Sequence, residues 1–382
     1  MARYGTLWFQ AFSAAPPASR PSFPADTRPV IAAIGRHATH LGWGMSSIIG
    51  SNPSRGASRR AVLQGLASAT SSLALAGCAA LSAPGLKLDG SDFSASSSLL
   101  VATTRKAVDN AKDKPWFGAE RAKLTVARAK LVAPEEGRFS LSSIGMDDWR
   151  VEKVELLPKP SALFGEGARD VLIYVHGFNQ TFETAAVDAA RLSSGVNFRG
   201  DTVVFSWPSK AKLLDYGYDR ESAMWSRDAL DQVLTGFIRS RSTGRVHVVA
   251  HSVGTTLTME ALRQIYLRLG LQAIERVGAV VFAAPDIDKD VFASSVERVG
   301  ALASKITVIT ATNDRALAVS GWIAGETRVG AAEAESLKKF GVRVIDASHE
   351  GWGIINHDLF LSNAQIRQVV RNAIEGRAPD GT

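Results

Sequence analysis

From Asp170 onward, short runs of β-branched and aliphatic residues alternate with stretches of helical period. The runs are Val171–Val175, Thr202–Phe205, Val246–Val249, Ala279–Ala283, Ile306–Thr310 and Val342–Ile345. Strands this uniformly apolar are covered on both faces, so the alternation predicts an α/β fold with a mostly parallel central sheet flanked by helices. Helices are expected over Phe182–Leu192, Glu221–Arg239, Thr255–Leu269, Asp290–Val299 and Ser362–Glu375. Upstream, Leu99–Arg105, Lys123–Val132 and Trp149–Leu157 read as a short amino-terminal β-rich extension. The last two alternate apolar and polar residues, as half-buried or edge strands do. There is no internal repeat. One domain is expected over residues 99–377, with a short tail at 378–382.

The first 77 residues break the pattern. They are rich in Ala, Ser, Pro and Gly and carry seven arginines against one acid, Asp26. Residues 1–77 therefore carry +6 of the formal net charge of +7. The remainder has 37 basic and 36 acidic residues, which gives no electrostatic case for nucleic acid. Ser58-Arg-Arg-Ala-Val-Leu-Gln64, then the mildly apolar run from Gly65 to Ala76, resembles a twin-arginine export signal. Leu75-Ala-Gly-Cys78 resembles a bacterial lipobox, with Cys78 as the lipidated first residue of the mature chain. Met45 is the expected start, with residues 1–44 an over-extended reading frame, 45–77 the signal and 78–98 a flexible tether. These readings imply an exported protein, periplasmic or in the outer membrane, anchored to the membrane through Cys78. As the single cysteine, Cys78 excludes an intramolecular disulfide.

The chemistry concentrates in Arg245-Val-His-Val-Val-Ala-His-Ser-Val-Gly254. A strand ends here in Ala-His-Ser-Val-Gly and a helix begins. That places Ser252 on a tight strand-to-helix turn, the nucleophile elbow of an α/β-hydrolase. Ala250 and Gly254 are small because backbone passes close on both sides of such a turn. A serine hydroxyl needs a base, and the base needs an orienting carboxylate; in this fold they follow the serine as acid, then histidine. Two histidines come late enough. His357 lies in the loop before the last helix, and His349, nearer the end of its strand, is the alternative. Asp314, in Asn313-Asp314 at the end of the run Lys305–Arg315, is the expected acid. Asp286, one strand earlier, is the alternative, competing with a reading as helix N-cap. The amides of Val253 and Phe178, the latter in His176-Gly-Phe-Asn179, are the expected donors to an oxyanion.

Val171-Leu-Ile-Tyr-Val-His-Gly-Phe-Asn-Gln-Thr-Phe182, Val203-Val-Phe-Ser-Trp-Pro-Ser209, Tyr218-Asp-Arg-Glu-Ser222, Ala250-His-Ser-Val-Gly254, Ala284-Pro-Asp-Ile-Asp288 and Asn313-Asp-Arg-Ala-Leu317 resemble signatures of one bacterial α/β-hydrolase family. Its members are poorly characterised esterase- and lipase-like proteins. Ala102-Thr-Thr-Arg105 and Phe117-Gly-Ala-Glu-Arg121 are similar to its amino-terminal extension. The resemblance implies the triad Ser252, Asp314 and His357. It departs at Asn356-His-Asp-Leu359, where the family has Gly-His-Ser-Tyr, and at Val253, where it has Met. Trp207, Tyr218 and Asp219 are shared without a role derivable from sequence.

A serine hydrolase acting on a small-molecule or lipid carboxylic ester is the function expected. The alternative is a non-catalytic envelope lipoprotein that binds or scaffolds on the same fold. His and Cys spacings make no ligand set, so no metal or other cofactor is expected.

Overall fold

The computed structural model describes residues 96–108, 116–132, 149–165, 167–314, 316–317, 320–321, 327–349 and 359–377. The leader, Cys78, the tether up to residue 95 and His357 lie outside them, while Ser96–Ser98, read from the sequence as the end of the tether, begin the first strand. Among the described residues, nine strands form one sheet: β1 (Ser96–Ala107), β2 (Phe117–Val132), β3 (Arg150–Leu156), β4 (Arg169–Val175), β5 (Asp201–Ser206), β6 (Thr243–His251), β7 (Val277–Ala283), β8 (Ile306–Thr310) and β9 (Arg343–Asp346). Their order is β3-β2-β1-β5-β4-β6-β7-β8-β9. The amino-terminal extension belongs to this same sheet. β1, β2 and β3 pair antiparallel, with β3 at the edge, while β1 runs parallel beside β5. All other pairings are parallel.

Among the described residues, seven α-helices of six residues or more accompany the strands: α1 (Phe182–Gly195), α2 (Tyr216–Trp225), α3 (Arg227–Arg239), α4 (Val253–Leu269), α5 (Leu271–Arg276), α6 (Lys289–Val299) and α7 (Ala364–Glu375). Side chains alternate across a strand, so each central strand serves two cores. Val171, Ile173 and Val175 pack with Leu230, Leu257 and Phe292 from α3, α4 and α6. Leu172 and Tyr174 face the other way, onto Phe182 and Ala186 of α1 and Ile366 and Val370 of α7. This is the two-sided burial expected of uniformly apolar strands.

Two helices differ from the expectation. The helix expected over Glu221–Arg239 begins at Tyr216 and breaks at Ser226. There the Ser226 hydroxyl donates to the Ser222 carbonyl (2.8 Å) and meets Thr104 Oγ1 of β1 (2.8 Å), which competes with continuation of the helix. The one expected over Ser362–Glu375 starts at Ala364. Asn363 Oδ1 accepts the Ile366 amide and ends the separate turn Leu359–Ser362.

Candidate active site

β6 passes into α4 through one residue, Ser252, at φ 50° and ψ −122°. For a residue with a Cβ this backbone is strained by about 1–3 kcal/mol, so its surroundings must hold it. The Ser252 amide donates to the Ala283 carbonyl at the end of β7 (3.0 Å). Its carbonyl accepts the Asp286 and Thr255 amides (3.2 and 3.0 Å) and the Thr255 hydroxyl (2.6 Å). Two glycines make room. A Cβ on Gly254 would run into the His176 and Val175 carbonyls, which are backbone and cannot swing away. One on Gly177 would lie 2.9 Å from the Ser252 Cβ. The loop after β4 therefore lies directly against Ser252, which is 3% exposed. Ala250 is fully buried in the strand behind.

The same loop carries Phe178. Among the described residues, no backbone carbonyl takes the amide of Phe178 or Val253. Val253 opens α4, where unpaired amides and the helix dipole favour negative charge. The Phe178 ring meets Tyr216 edge-on, centroids 5.2 Å apart. His176 fixes the start of the loop. Its ring stacks on Trp207 (4.7 Å), its Nδ1–H donates to the Gly177 carbonyl (2.8 Å), and Nε2 accepts the Trp207 amide (3.1 Å). The Trp207 indole N–H returns a bond to the His176 carbonyl (2.8 Å). Nε2 lies equally near the Trp207 carbonyl (3.1 Å), but the Gly177 carbonyl is the closer acceptor and the Trp207 amide can only donate, which assigns the tautomer with Nδ1 protonated.

Burial, and then the Arg105 charge, push the His176 pKa down to about 3. Burial also lowers that of His247, against the pull of Asp170. Both folded values lie below the unfolded value of about 6.5, so the neutral rings contribute stability that is complete above that pH. It is lost as pH falls from there toward the folded values, for His176 at about 1.4 kcal/mol per pH unit. The urea midpoint should therefore drop measurably between pH 7 and pH 5, with His176→Gln showing a shallower fall. A wild-type midpoint that is flat over this range would contradict the assignment.

The two candidate acids occupy different surroundings. Asp314, after β8, is fully buried; its amide donates to Ala311 (3.0 Å) and its Oδ1 accepts the Leu317 amide (3.1 Å). Asp286, after β7, is 4% exposed and faces Arg328 Nε (3.2 Å), the Tyr216 hydroxyl (2.6 Å) and the Ser320 hydroxyl (2.7 Å). Burial and this carboxylate push Tyr216 up to about 12. Asp286 is not the N-cap of α6. That residue is Asp288, whose Oδ1 accepts the Asp290 and Val291 amides. Arg328, Tyr216 and Ser320 come from three separate segments, and nothing in the sequence pattern singles them out.

His349 is exposed in the turn after β9. That turn is clipped to the loop of Asp314, since Ser348 accepts from the Thr312 amide (3.0 Å) and the Asn313 side chain (2.8 Å). His251 is buried, its ring 4.8 Å from that of Phe360. Among the described residues, no cluster of His, Cys, Asp and Glu could hold a metal, and no helix is long and apolar enough to cross a membrane.

Residues 161–373, more than half of the chain, match the family described as alpha/beta hydrolase of unknown function (DUF900). An uncharacterized protein of Nostoc sp. is 27% identical over 126 residues, covering 26% of this chain and 33% of that protein. The match thus spans a third of the curated relative's length. Among solved structures, brefeldin A esterase, described as a bacterial homologue of human hormone sensitive lipase, is 13% identical. It covers 86% of this chain and 88% of its own, with a TM-score of 0.38. The catalytic core of acetyl xylan esterase from Trichoderma reesei is 14% identical, covers 56% and 100%, and has a TM-score of 0.36. A hyperthermophilic esterase from Pyrobaculum calidifontis, 14% identical, covers 66% and 80% with a TM-score of 0.31.

Proposed function

Since the chain belongs to this family of α/β-hydrolases, we propose that it is a serine hydrolase that cleaves a carboxylic ester through an acyl-enzyme. Ser252 attacks the ester carbonyl and its proton passes to an imidazole, read from the sequence as His357. Asp314 orients that imidazole and stabilises its charged form. The amides of Val253 and Phe178 stabilise the oxyanion. The imidazolium then protonates the departing alcohol, and water, activated by the same base, releases the acid. The observation that carries this reading is the strained backbone of Ser252 between β6 and α4, held against Gly177. Strain of this kind is maintained where a side chain must be presented in one direction.

A fluorophosphonate probe tests it. The folded wild type should be labelled and should hydrolyse p-nitrophenyl esters, and Ser252→Ala should do neither. A folded wild type that neither labels nor hydrolyses any acyl length points instead to the binding or scaffold reading.

The substrate is a small-molecule or lipid ester, and lipidated Cys78 holds the exported enzyme on its membrane. Cys78→Ser should move the protein from the membrane fraction to the soluble one. Retention in the membrane fraction would remove the lipobox reading.

A further inference from the structure

Phe178 contributes one peptide plane on each side, and both are held by side chains. The plane ahead of it contains its own N–H, and the carbonyl opposite, that of Gly177, accepts from His176 Nδ1–H. Because a peptide is planar, binding that oxygen fixes the direction of the N–H. The plane behind it ends in the Asn179 amide, which donates to Asp219 Oδ2 (3.4 Å). Asn179 stands at φ 62°, so the chain turns sharply here.

Asp219, on α2, is fully buried. Besides Asn179 it accepts the Lys210 amide on Oδ1 (2.9 Å) and the Ser209 hydroxyl on Oδ2. The Ser209 oxygen in turn accepts the Gln180 amide (3.1 Å). From the other side comes Arg105 of β1, 1% exposed. Its Nε donates to Ser206 Oγ (2.9 Å) and its Nη1 to the carbonyls of Ser209 (2.9 Å) and Gly118 (3.2 Å). Its Nη2 donates to the Gln180 carbonyl (2.7 Å). Residues 179–180 are thus bound at three backbone groups by a buried anion, a buried cation and the hydroxyl between them. A guanidinium fork reaches four oxygens at once, which a lysine cannot do.

We propose that Arg105 and Asp219 are positioning residues for the oxyanion hole, together aiming the Phe178 amide at the oxygen that becomes charged when Ser252 attacks. This rests on the serine-hydrolase reading above. It also makes β1 part of the catalytic apparatus, although Arg105 lies outside residues 161–373, which define the family match. A donor displaced from a tetrahedral oxyanion loses transition-state binding and leaves ground-state binding almost intact.

The test uses the full chain, p-nitrophenyl acetate and phenyl trifluoromethyl ketone, which forms a tetrahedral adduct on a catalytic serine. Asp219→Asn and Arg105→Lys are each expected to lower kcat by about 10²-fold with KM within about twofold. The inhibition constant of the ketone should rise in proportion to the loss of kcat/KM. Ser209→Ala, which removes only the bridging hydroxyl, should show the same split at about tenfold, and decides the matter alone if the charge variants do not fold. A lower melting temperature with kcat and ketone affinity unchanged overturns the inference and leaves the hydrolase reading standing. A wild type without Ser252-dependent hydrolysis overturns both.

Discussion

Ser252→Ala should lower kcat for p-nitrophenyl ester hydrolysis by about 10⁴-fold or more while the protein stays folded. Alanine removes the attacking oxygen but keeps the Cβ, and with it the backbone strain at φ 50°. Ser252→Gly removes both. Glycine in place of alanine ordinarily costs about 0.5–1 kcal/mol through the entropy of the unfolded chain. Here relief of about 1–3 kcal/mol of strain outweighs that cost, so Ser252→Gly should be the more stable variant by about 1 kcal/mol. Urea unfolding of the two inactive variants checks the sign. Greater stability of Ser252→Ala would mean that the bend stores no strain, and the main support for a presented nucleophile would go.

Residue 252 could be singled out from sequence because an elbow is local. A β-branched run, two small residues and the start of a helical period fall within ten positions. The parallel sheet was legible for a similar reason: Val171–Val175, buried throughout, leaves no polar face to place in water. What could not be read depends on contacts between distant segments. The break at Ser226 needs Thr104 of β1. Arg105 looks like the polar end of a first strand until β1 is seen beside β5, with the guanidinium turned into the loops. Asp219 sits on a short helix, where a carboxylate ordinarily faces solvent, and only the loops of Asn179 and Ser209 give it partners. The histidine differs again, because His357 rests on chain order and on the family resemblance alone.

Asp286 and Asp314 test how far chain order can assign an acid, since each follows a strand of the same sheet. Asp314→Asn should lower kcat by about 10⁴-fold, because an amide cannot stabilise the charged imidazole and favours the wrong tautomer. Asp286→Asn should behave in the opposite way. It leaves the Arg328 guanidinium, 2% exposed, without its counter-charge. Removing one partner of a buried ion pair costs about 3–5 kcal/mol, and here Tyr216 and Ser320 lose a charged acceptor as well. Its backbone amide still holds the Ser252 carbonyl, so kcat per folded molecule should stay within about tenfold of wild type. Stability by urea and kcat at a temperature where both variants are folded separate the two effects. A collapse of kcat in Asp286→Asn, with Asp314→Asn active, would move the orienting carboxylate to the earlier strand. The Arg328 ion pair would then be part of the catalytic charge balance, and the same imidazole would have to reach the end of β7.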